Sequence, residues 1–202
     1  MKNTRALSRV LGAIGLAGAL AVPLAAPAHA ANEVPIDWKV DATTTMKSLG
    51  QTVVIPTGSF KGSFDLSTGQ LTGDLSLPQA TQRLDIGKLP LAKVTFAMEQ
   101  AAPITGSLNI FTMEAKTTAS FNVRIVSVKP VIAPWLNLVG KNCRTREPVT
   151  TEIGGKVDLA GKSTFSGEYA LGKFKNCGFG VTEILNAVVP GDGNTMSATF
   201  YP

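Results

Sequence analysis

Apolar and polar residues alternate along most of the chain beyond residue 31, and a period of two residues is typical of half-buried β-strands. Such segments cover residues 36–46, 94–98, 115–128 and 196–200, and a strand-like TVVI lies at 52–55 between Gly50 and Pro56. The segment 115–128 predicts the longest strand, whereas Pro130 and Pro134 favour a loop or a sheet edge at 129–135. The pattern predicts a mainly β protein.

Four further segments share one pattern built around a glycine: FKGSFDL at 60–66, LTGDLSL at 71–77, ITGSLNI at 104–110 and FSGEYAL at 165–171. Each glycine is in phase with the apolar residues of its segment, which places it on the core face of a strand. The four core-face glycines are Gly62, Gly73, Gly106 and Gly167. Because glycine weakens a strand, its recurrence indicates either a sharply bent sheet or room for a bulky group above it. Both favour a curved antiparallel sheet, arranged as a sandwich or a partly open barrel, with a hairpin at 67–69 between the first two segments.

One stretch has a helical period instead. The apolar residues of VTEILNAVV (181–189) form a single helix face: Val181, Ile184, Leu185, Val188 and Val189. Pro190 and Gly191 then end the helix. A short C-terminal helix is therefore predicted to pack this face on the concave side of the sheet.

Residues 1–30 have the organisation of a secretory signal peptide. Lys2, Arg5 and Arg9 form a positive n-region, an uncharged apolar run follows at 10–24, and Ala-His-Ala at 28–30 is a small-x-small cleavage pattern. Cleavage is expected after residue 30. The alternative of a retained membrane anchor needs about 20 apolar residues, more than this run supplies. The protein is therefore expected to be exported, either extracellular or associated with the cell envelope.

The chain that remains after cleavage, 31–202, is predicted to form one β-rich domain. It keeps 16 basic residues against 14 acidic ones and has lost the only histidine, His29. A formal charge of +2 on this length is no electrostatic footprint for nucleic acid, which needs a concentrated basic face, so no nucleic-acid partner is expected. The absence of histidine excludes Ser-His-Asp and Cys-His catalysis.

No other catalytic or cofactor motif is present in the sequence. It contains no GxGxxG, no P-loop and no cluster of zinc or iron ligands, so neither a cofactor nor a metal is expected. Asp65, Asp74, Asp158 and Glu168 fall on predicted outer faces among serine and threonine, which is typical of solvated charges and not of paired catalytic carboxylates. The sequence predicts a protein that is not an enzyme.

The two cysteines, Cys143 and Cys177, lie in the exported part of the chain. An isolated pair in an oxidising compartment favours one disulfide, which would stabilise the fold by about 3–4 kcal/mol. A reactive thiol or a metal pair is the alternative, and it lacks histidine or further cysteines to complete a site.

A disulfide would gather five cations into one candidate anion-binding patch: Lys141, Arg144, Arg146, Lys173 and Lys175. Glu147 opposes them locally. Such a patch could bind phosphate-bearing envelope polymers or anionic lipid headgroups. The alternative is a solvated rim around an exposed disulfide.

Two segments, NLVGKNCRTREPV (137–149) and KNCGFGVTEILNAVVPGDGN (175–194), resemble uncharacterised exported proteins of high-GC Gram-positive bacteria. In those proteins a cysteine before a proline-containing segment pairs with a Cys-Gly that leads into a helix ending near Pro-Gly. The resemblance covers the C-terminal third and, more weakly, the remainder. It implies secretion, the Cys143–Cys177 bond and a β-rich fold, and it implies no activity.

The leading hypothesis is a non-catalytic, envelope-associated protein whose apolar concavity holds a lipid or other hydrophobic ligand. The alternative is a structural or protein-interaction module whose interior is filled by its own side chains. A membrane β-barrel, which needs strands of about 9–11 residues, and a carbohydrate hydrolase rank below these two. A void inside the sheet would separate the first hypothesis from the second, because a structural module is packed to native density.

Overall fold

A computed structural model describes residues 32–86, 89–158 and 160–202. The predicted signal segment, residues 1–30, lies outside the described residues. Within them the chain forms the strands β1 Glu33–Met46, β2 Gln51–Asp65, β3 Gln70–Ser76, β4 Ala80–Ile86, β5 Leu89–Asn109, β6 Glu114–Pro130, β7 Arg144–Thr145, β8 Val149–Lys156, β9 Ser163–Leu171, β10 Phe174–Lys175 and β11 Gly191–Tyr201, and the helix α1 Val181–Val188.

Eight strands close into an antiparallel barrel. Their order around the barrel is β1, β2, β3, β5, β6, β8, β9 and β11, and β11 pairs back onto β1. Outside this ring, β4 pairs with β5, the two-residue strand β7 pairs with β6, and the two-residue strand β10 pairs with β7. The predicted mainly β fold with a curved antiparallel sheet and one short helix is confirmed, and the sheet takes the form of a barrel.

Two strands run further than the sequence pattern indicates. β2 does not end at Pro56, because a bulge there lets Val40 of β1 pair with Gly58 and Ala42 with Ile55. β5 joins the segments 94–98 and 104–110 through register shifts and is 21 residues long. The prediction that 115–128 forms the longest strand is therefore wrong, since β6 has 17 residues. A bulge absorbs an extra residue and bends the strand.

The inner faces of the strands meet in an aromatic core at the middle of the barrel. Phe200 packs edge to face against Phe60 and Phe165, with ring centroids 5.7 Å and 5.3 Å apart. Phe121 packs similarly on Tyr169 at 6.1 Å. Aromatic rings prefer this arrangement to a face-to-face stack. The middle of the barrel is therefore packed with aromatic side chains.

Two of the core-face glycines, Gly62 and Gly73, lie directly opposite each other on β2 and β3. A Cβ at Gly73 would stand 2.5 Å from the ring of Phe60 and 2.7 Å from the carbonyl oxygen of Lys61. A Cβ at Gly62 would stand 3.0 Å from the same ring. The paired glycines therefore make room for a bulky side chain and for close approach of the two strands, since side chains at both positions would collide with them.

The other two glycines serve the close approach of backbones. A Cβ at Gly106 would lie 2.5 Å from the carbonyl oxygen of Lys116 and 2.6 Å from the methyl group of Thr117. A Cβ at Gly167 would collide with the carbonyl oxygen of Glu152. At these points β5 approaches β6 and β9 approaches β8 closely, and glycine leaves room for the neighbouring backbone.

The helix α1 closes one end of the barrel and does not fill its interior. Leu185 and Val189 face Met46 and Leu171 near the ends of β1 and β9, and Val181 also packs on the core. We call this end of the barrel the helix end.

The predicted apolar face of α1 needs a correction at two positions. Ile184 is 66% exposed and Val188 is 46% exposed, so neither lies on the packed face. Asn186 lies on that face instead: the N–H of Phe174 donates to its Oδ1 at 2.6 Å and its Nδ2 donates to the carbonyl of Phe174 at 3.0 Å. This pair of hydrogen bonds to β10 sets the rotation of the helix and turns Ile184 and Val188 outward.

The predicted disulfide joins Cys143 and Cys177, which are 34 residues apart in sequence. Both cysteines are fully buried, so the alternative of an exposed disulfide is wrong. The bond links the chain before β7 to the chain after β10, and these strands pair through Phe174 with Thr145 and Lys175 with Arg144. The helix end is therefore held by a covalent cross-link.

Candidate functional site

A large apolar cavity lies at the end of the barrel opposite α1, and we call this the cavity end. Its volume is about 540 Å³. The aromatic core at the middle of the barrel forms its floor, with Phe60, Phe165 and Phe200 among the lining residues. The walls come from the ends of β1, β2, β3, β5, β6 and β8 at this end of the barrel.

The lining of the cavity is apolar almost throughout. Among the described residues that line it, none is ionisable. Two side chains carry a hydrogen-bonding group: Trp38 has an indole N–H, and the hydroxyl of Thr117 donates to the carbonyl of Ile153 at 3.3 Å. Because the Thr117 hydrogen is already used, the walls can recognise a ligand mainly by shape and apolar contact.

The cavity opens to solvent between exposed apolar residues. Val34, Leu66 and Ile110 line it and are 43%, 58% and 54% exposed. Phe111 follows Ile110 in the turn between β5 and β6 and is also exposed. The opening therefore has an apolar rim. Alternation places Leu66 and Ile110 on the core face at the ends of two glycine segments, whereas Val34 and Phe111 lie outside every segment that the pattern singled out.

A much smaller cavity of about 80 Å³ lies under the helix. Beside it, the hydroxyl of Thr44 donates to the carbonyl of Thr195 at 3.1 Å and therefore accepts from the hydroxyl of Tyr169, 2.6 Å away. Burial raises the pKa of Tyr169, and the hydrogen bond to Thr44 partly opposes this. The site beside the helix is largely filled, so the large void lies elsewhere.

The five cations of the candidate anion-binding patch lie around the buried disulfide. Lys175 stands opposite Arg144 in register, and its Nζ donates to the carbonyl of Arg146 at 3.1 Å. The N–H of Arg146 donates to the carbonyl of Lys173 at 2.8 Å. Lys141 follows Gly140, whose N–H donates to the carbonyl of Cys177 at 3.1 Å. The fold thus brings the two cationic segments together at the helix end.

Large exposed apolar residues lie in the same two chain segments as these cations, and the sequence analysis missed them. Ile132 and Trp135 are 91% and 82% exposed in the loop after β6, and Phe179 is fully exposed before α1. The sequence signal is an apolar residue of large size placed among prolines and glycines, as in Ala-Pro-Trp at 133–135 and Gly-Phe-Gly at 178–180. Large apolar residues that cluster on one surface commonly mark an interaction site, whereas a single exposed one needs no explanation.

The four carboxylates considered in the sequence lie away from the cavity lining. Asp65 accepts hydrogen bonds from the backbone and hydroxyl of Ser67 in a turn, and these bonds lower its pKa to about 2. Asp74 accepts from the side chain of Gln100 at 2.8 Å, and Asp158 accepts from the N–H of Ala160 at 3.0 Å. Glu168 is exposed on the outer face of β9.

The part of the chain that the structure describes contains no group of three or more His, Cys, Asp or Glu side chains placed to hold a metal ion. Among the same residues, no helix has the length and apolarity required to span a bilayer. Comparison with protein-family models, with curated proteins and with solved structures finds no match to this chain.

Proposed function

We propose that this protein is exported, has no catalytic activity, associates with the cell envelope and holds a lipid or another hydrophobic ligand in the barrel cavity. The observation that carries the proposal is the apolar cavity of about 540 Å³. Pockets for small molecules typically measure about 300–1,000 Å³ and are lined mainly by apolar side chains.

The energetic consequence of an empty cavity supports a ligand. Because the cavity opens to solvent, its apolar walls contact water when no ligand is bound, and covering apolar surface contributes about 25 cal/mol per Å². A structural module with a filled interior, the rival hypothesis, would have no reason to maintain such a void.

The chemistry of the walls favours a particular kind of ligand. A buried polar or charged group would lose its hydration without gaining a partner, because the lining offers so few hydrogen-bonding groups. The ligand is therefore apolar where it enters the barrel, and any polar group stays at the opening near Leu66 and Ile110. An acyl chain or an isoprenoid chain with its headgroup in solvent fits this description.

Two observations support export, and a third argues against a membrane β-barrel. Disulfides persist in oxidising compartments, so the buried Cys143–Cys177 bond favours an exported protein, as does the resemblance to exported proteins of high-GC Gram-positive bacteria. The outward side chains of β1, such as Lys39 and Asp41, are polar and exposed. A membrane β-barrel needs an apolar outer band, and these polar side chains argue against one. A hydrolase needs two carboxyl groups that face one cleft, whereas no carboxylate among the described residues lines the cavity.

The experiment is equilibrium binding of a fluorescent fatty acid, dansyl-undecanoic acid, to protein produced from this sequence. Ala115 lies in the cavity wall and is buried, so Ala115→Phe fills part of the void and is expected to weaken binding at least about tenfold, the effect of losing about 1.4 kcal/mol. Ala170, exposed on the outer face of β9, provides the matched control Ala170→Phe. Equal binding by both variants would mean that the probe binds outside the barrel and would overturn the proposal.

A further inference from the structure

We propose that the helix end of the barrel docks on the surface of an anionic phospholipid bilayer. In this arrangement exposed apolar side chains enter the membrane interface, and the surrounding cations bind lipid phosphates. We define the docking face as residues 131–147 and 172–189. The proposal does not depend on the ligand in the cavity.

The apolar part of the docking face consists of residues that protrude from loops. Ile132 and Trp135 lie in the loop after β6, and Phe179 precedes α1. Ile184 and Val188, which Asn186 turns away from the core, add the exposed side of the helix. Large apolar side chains in water are costly, and tryptophan is enriched where one end of the ring is apolar and the other is wet.

The two segments of the docking face contact each other and are cross-linked. The N–H of Gly140 donates to the carbonyl of Cys177, and a Cβ at Gly178 would lie 3.6 Å from the carbonyl oxygen of Leu138. The disulfide then joins the segments covalently. A surface that is already ordered loses little conformational entropy when it binds.

The charge of the protein is concentrated on this face. The docking face contains five basic residues and two acidic ones, Glu147 and Glu183, so its formal net charge is +3. The rest of residues 31–202 has 11 basic and 12 acidic residues, an excess of one negative charge. Basic side chains beside an anionic membrane each contribute to binding, and the effect falls off within a Debye length.

The combination of features favours a bilayer over a phosphate-bearing polymer. A polymer would use the cations and leave Trp135 and Phe179 in water, whereas a bilayer accepts both sets of groups at once. Docking through the helix end also leaves the opening of the cavity, at the opposite end of the barrel, free of the membrane.

The experiment is sedimentation of the protein with vesicles of phosphatidylglycerol and phosphatidylcholine at low and high salt. We expect binding that requires phosphatidylglycerol and weakens with salt. Lys173→Gln combined with Lys175→Gln should weaken it about 30-fold, since each lysine near the surface is worth about fivefold. Phe179→Ala should weaken it about tenfold or more.

The opposite end of the barrel supplies matched controls. Phe111 is 92% exposed in a turn at the cavity end, and Lys116 and Lys156 are exposed on strands that reach it. Phe111→Ala, and Lys116→Gln combined with Lys156→Gln, should leave vesicle binding unchanged. If Phe111→Ala abolishes binding while Phe179→Ala does not, or if soluble polyphosphate binds and vesicles do not, the proposal is overturned.

A second readout does not depend on these variants. In a Trp38→Phe protein, Trp135 is the single tryptophan, because the chain has two. Vesicles with brominated acyl chains should then quench the emission of Trp135. Unquenched emission under conditions where the protein sediments with vesicles would contradict insertion of the loop after β6.

Discussion

Replacing Gly73 by alanine tests the geometry that closes the barrel. The backbone at Gly73 does not have a positive φ, so any effect of a side chain there is steric. The new Cβ would stand 2.5 Å from the ring of Phe60 and 2.7 Å from the carbonyl oxygen of Lys61, well inside van der Waals contact. The ring or the strand must shift to admit it.

The expected cost follows from these contacts. Overpacking a well-packed site costs about 1–3 kcal/mol, and alanine recovers about 0.5–1 kcal/mol of the conformational cost of glycine in a strand. The free energy of unfolding should therefore fall by about 1–2 kcal/mol. For a domain of this size the Tm should fall by about 2–8 °C, at about 2–4 °C per kcal/mol.

The assay is urea unfolding followed by circular dichroism, with Gly172→Ala as the matched control. An added Cβ at Gly172 meets no atom within 4 Å, so that variant should be neutral or slightly stabilised, by up to about 1 kcal/mol. Combining Gly73→Ala with Phe60→Leu should recover at least about 0.5 kcal/mol of the loss as coupling. Equal stability of Gly73→Ala and Gly172→Ala would refute the close approach of β2 and β3.

Other predictions concern the cross-link and two titrating groups. Replacing Cys143 and Cys177 together by alanine should lower the free energy of unfolding by about 4 kcal/mol for a loop of 34 residues; an unchanged urea midpoint would contradict this. Because burial raises the pKa of Tyr169, its neutral form contributes stability that is present below about pH 10 and lost as pH rises further. Tyr169→Phe should remove this alkaline step in thermal unfolding and, by deleting the bond to Thr44, cost about 1 kcal/mol at pH 7. The lowered pKa of Asp65 contributes stability above about pH 4 that is lost as pH falls toward 2, and an NMR titration of its carboxyl carbon should give a midpoint near 2; a midpoint near 3.8 would contradict the turn hydrogen bonds.

Much of the fold could be predicted from alternation because the barrel presents one buried face and one wet face along each strand. The hairpin of β2 and β3 and the final strand β11 follow this rule. The bulge at Pro56 hid the true length of β2, because a bulge keeps the apolar residues inward while it breaks the period. The rotation of α1 was hidden for another reason: Asn186 bonds to β10, and no pattern within the helix reveals that partner.

Less of the candidate site could be predicted from the sequence. Apolar alternation does not distinguish a filled interior from a hollow one, since this depends on how large residues from different strands meet. Phe165 and Phe200 fill the middle of the barrel, whereas Ala115 and Thr117 leave space at one end. Trp135 is large and apolar, as core residues usually are. Only its exposure in the folded chain identifies it as a surface residue.

The most direct test of the central claim is native mass spectrometry of the protein, purified without detergent from its own host. We predict a reproducible added mass on the folded chain that organic solvent releases and that Ala115→Phe removes while Ala170→Phe retains it. The polypeptide itself should be two hydrogens lighter than the reduced chain because of its disulfide. A bare polypeptide in wild-type preparations, together with failure of added fatty acids to bind, would contradict the account of the barrel as a container for a hydrophobic ligand.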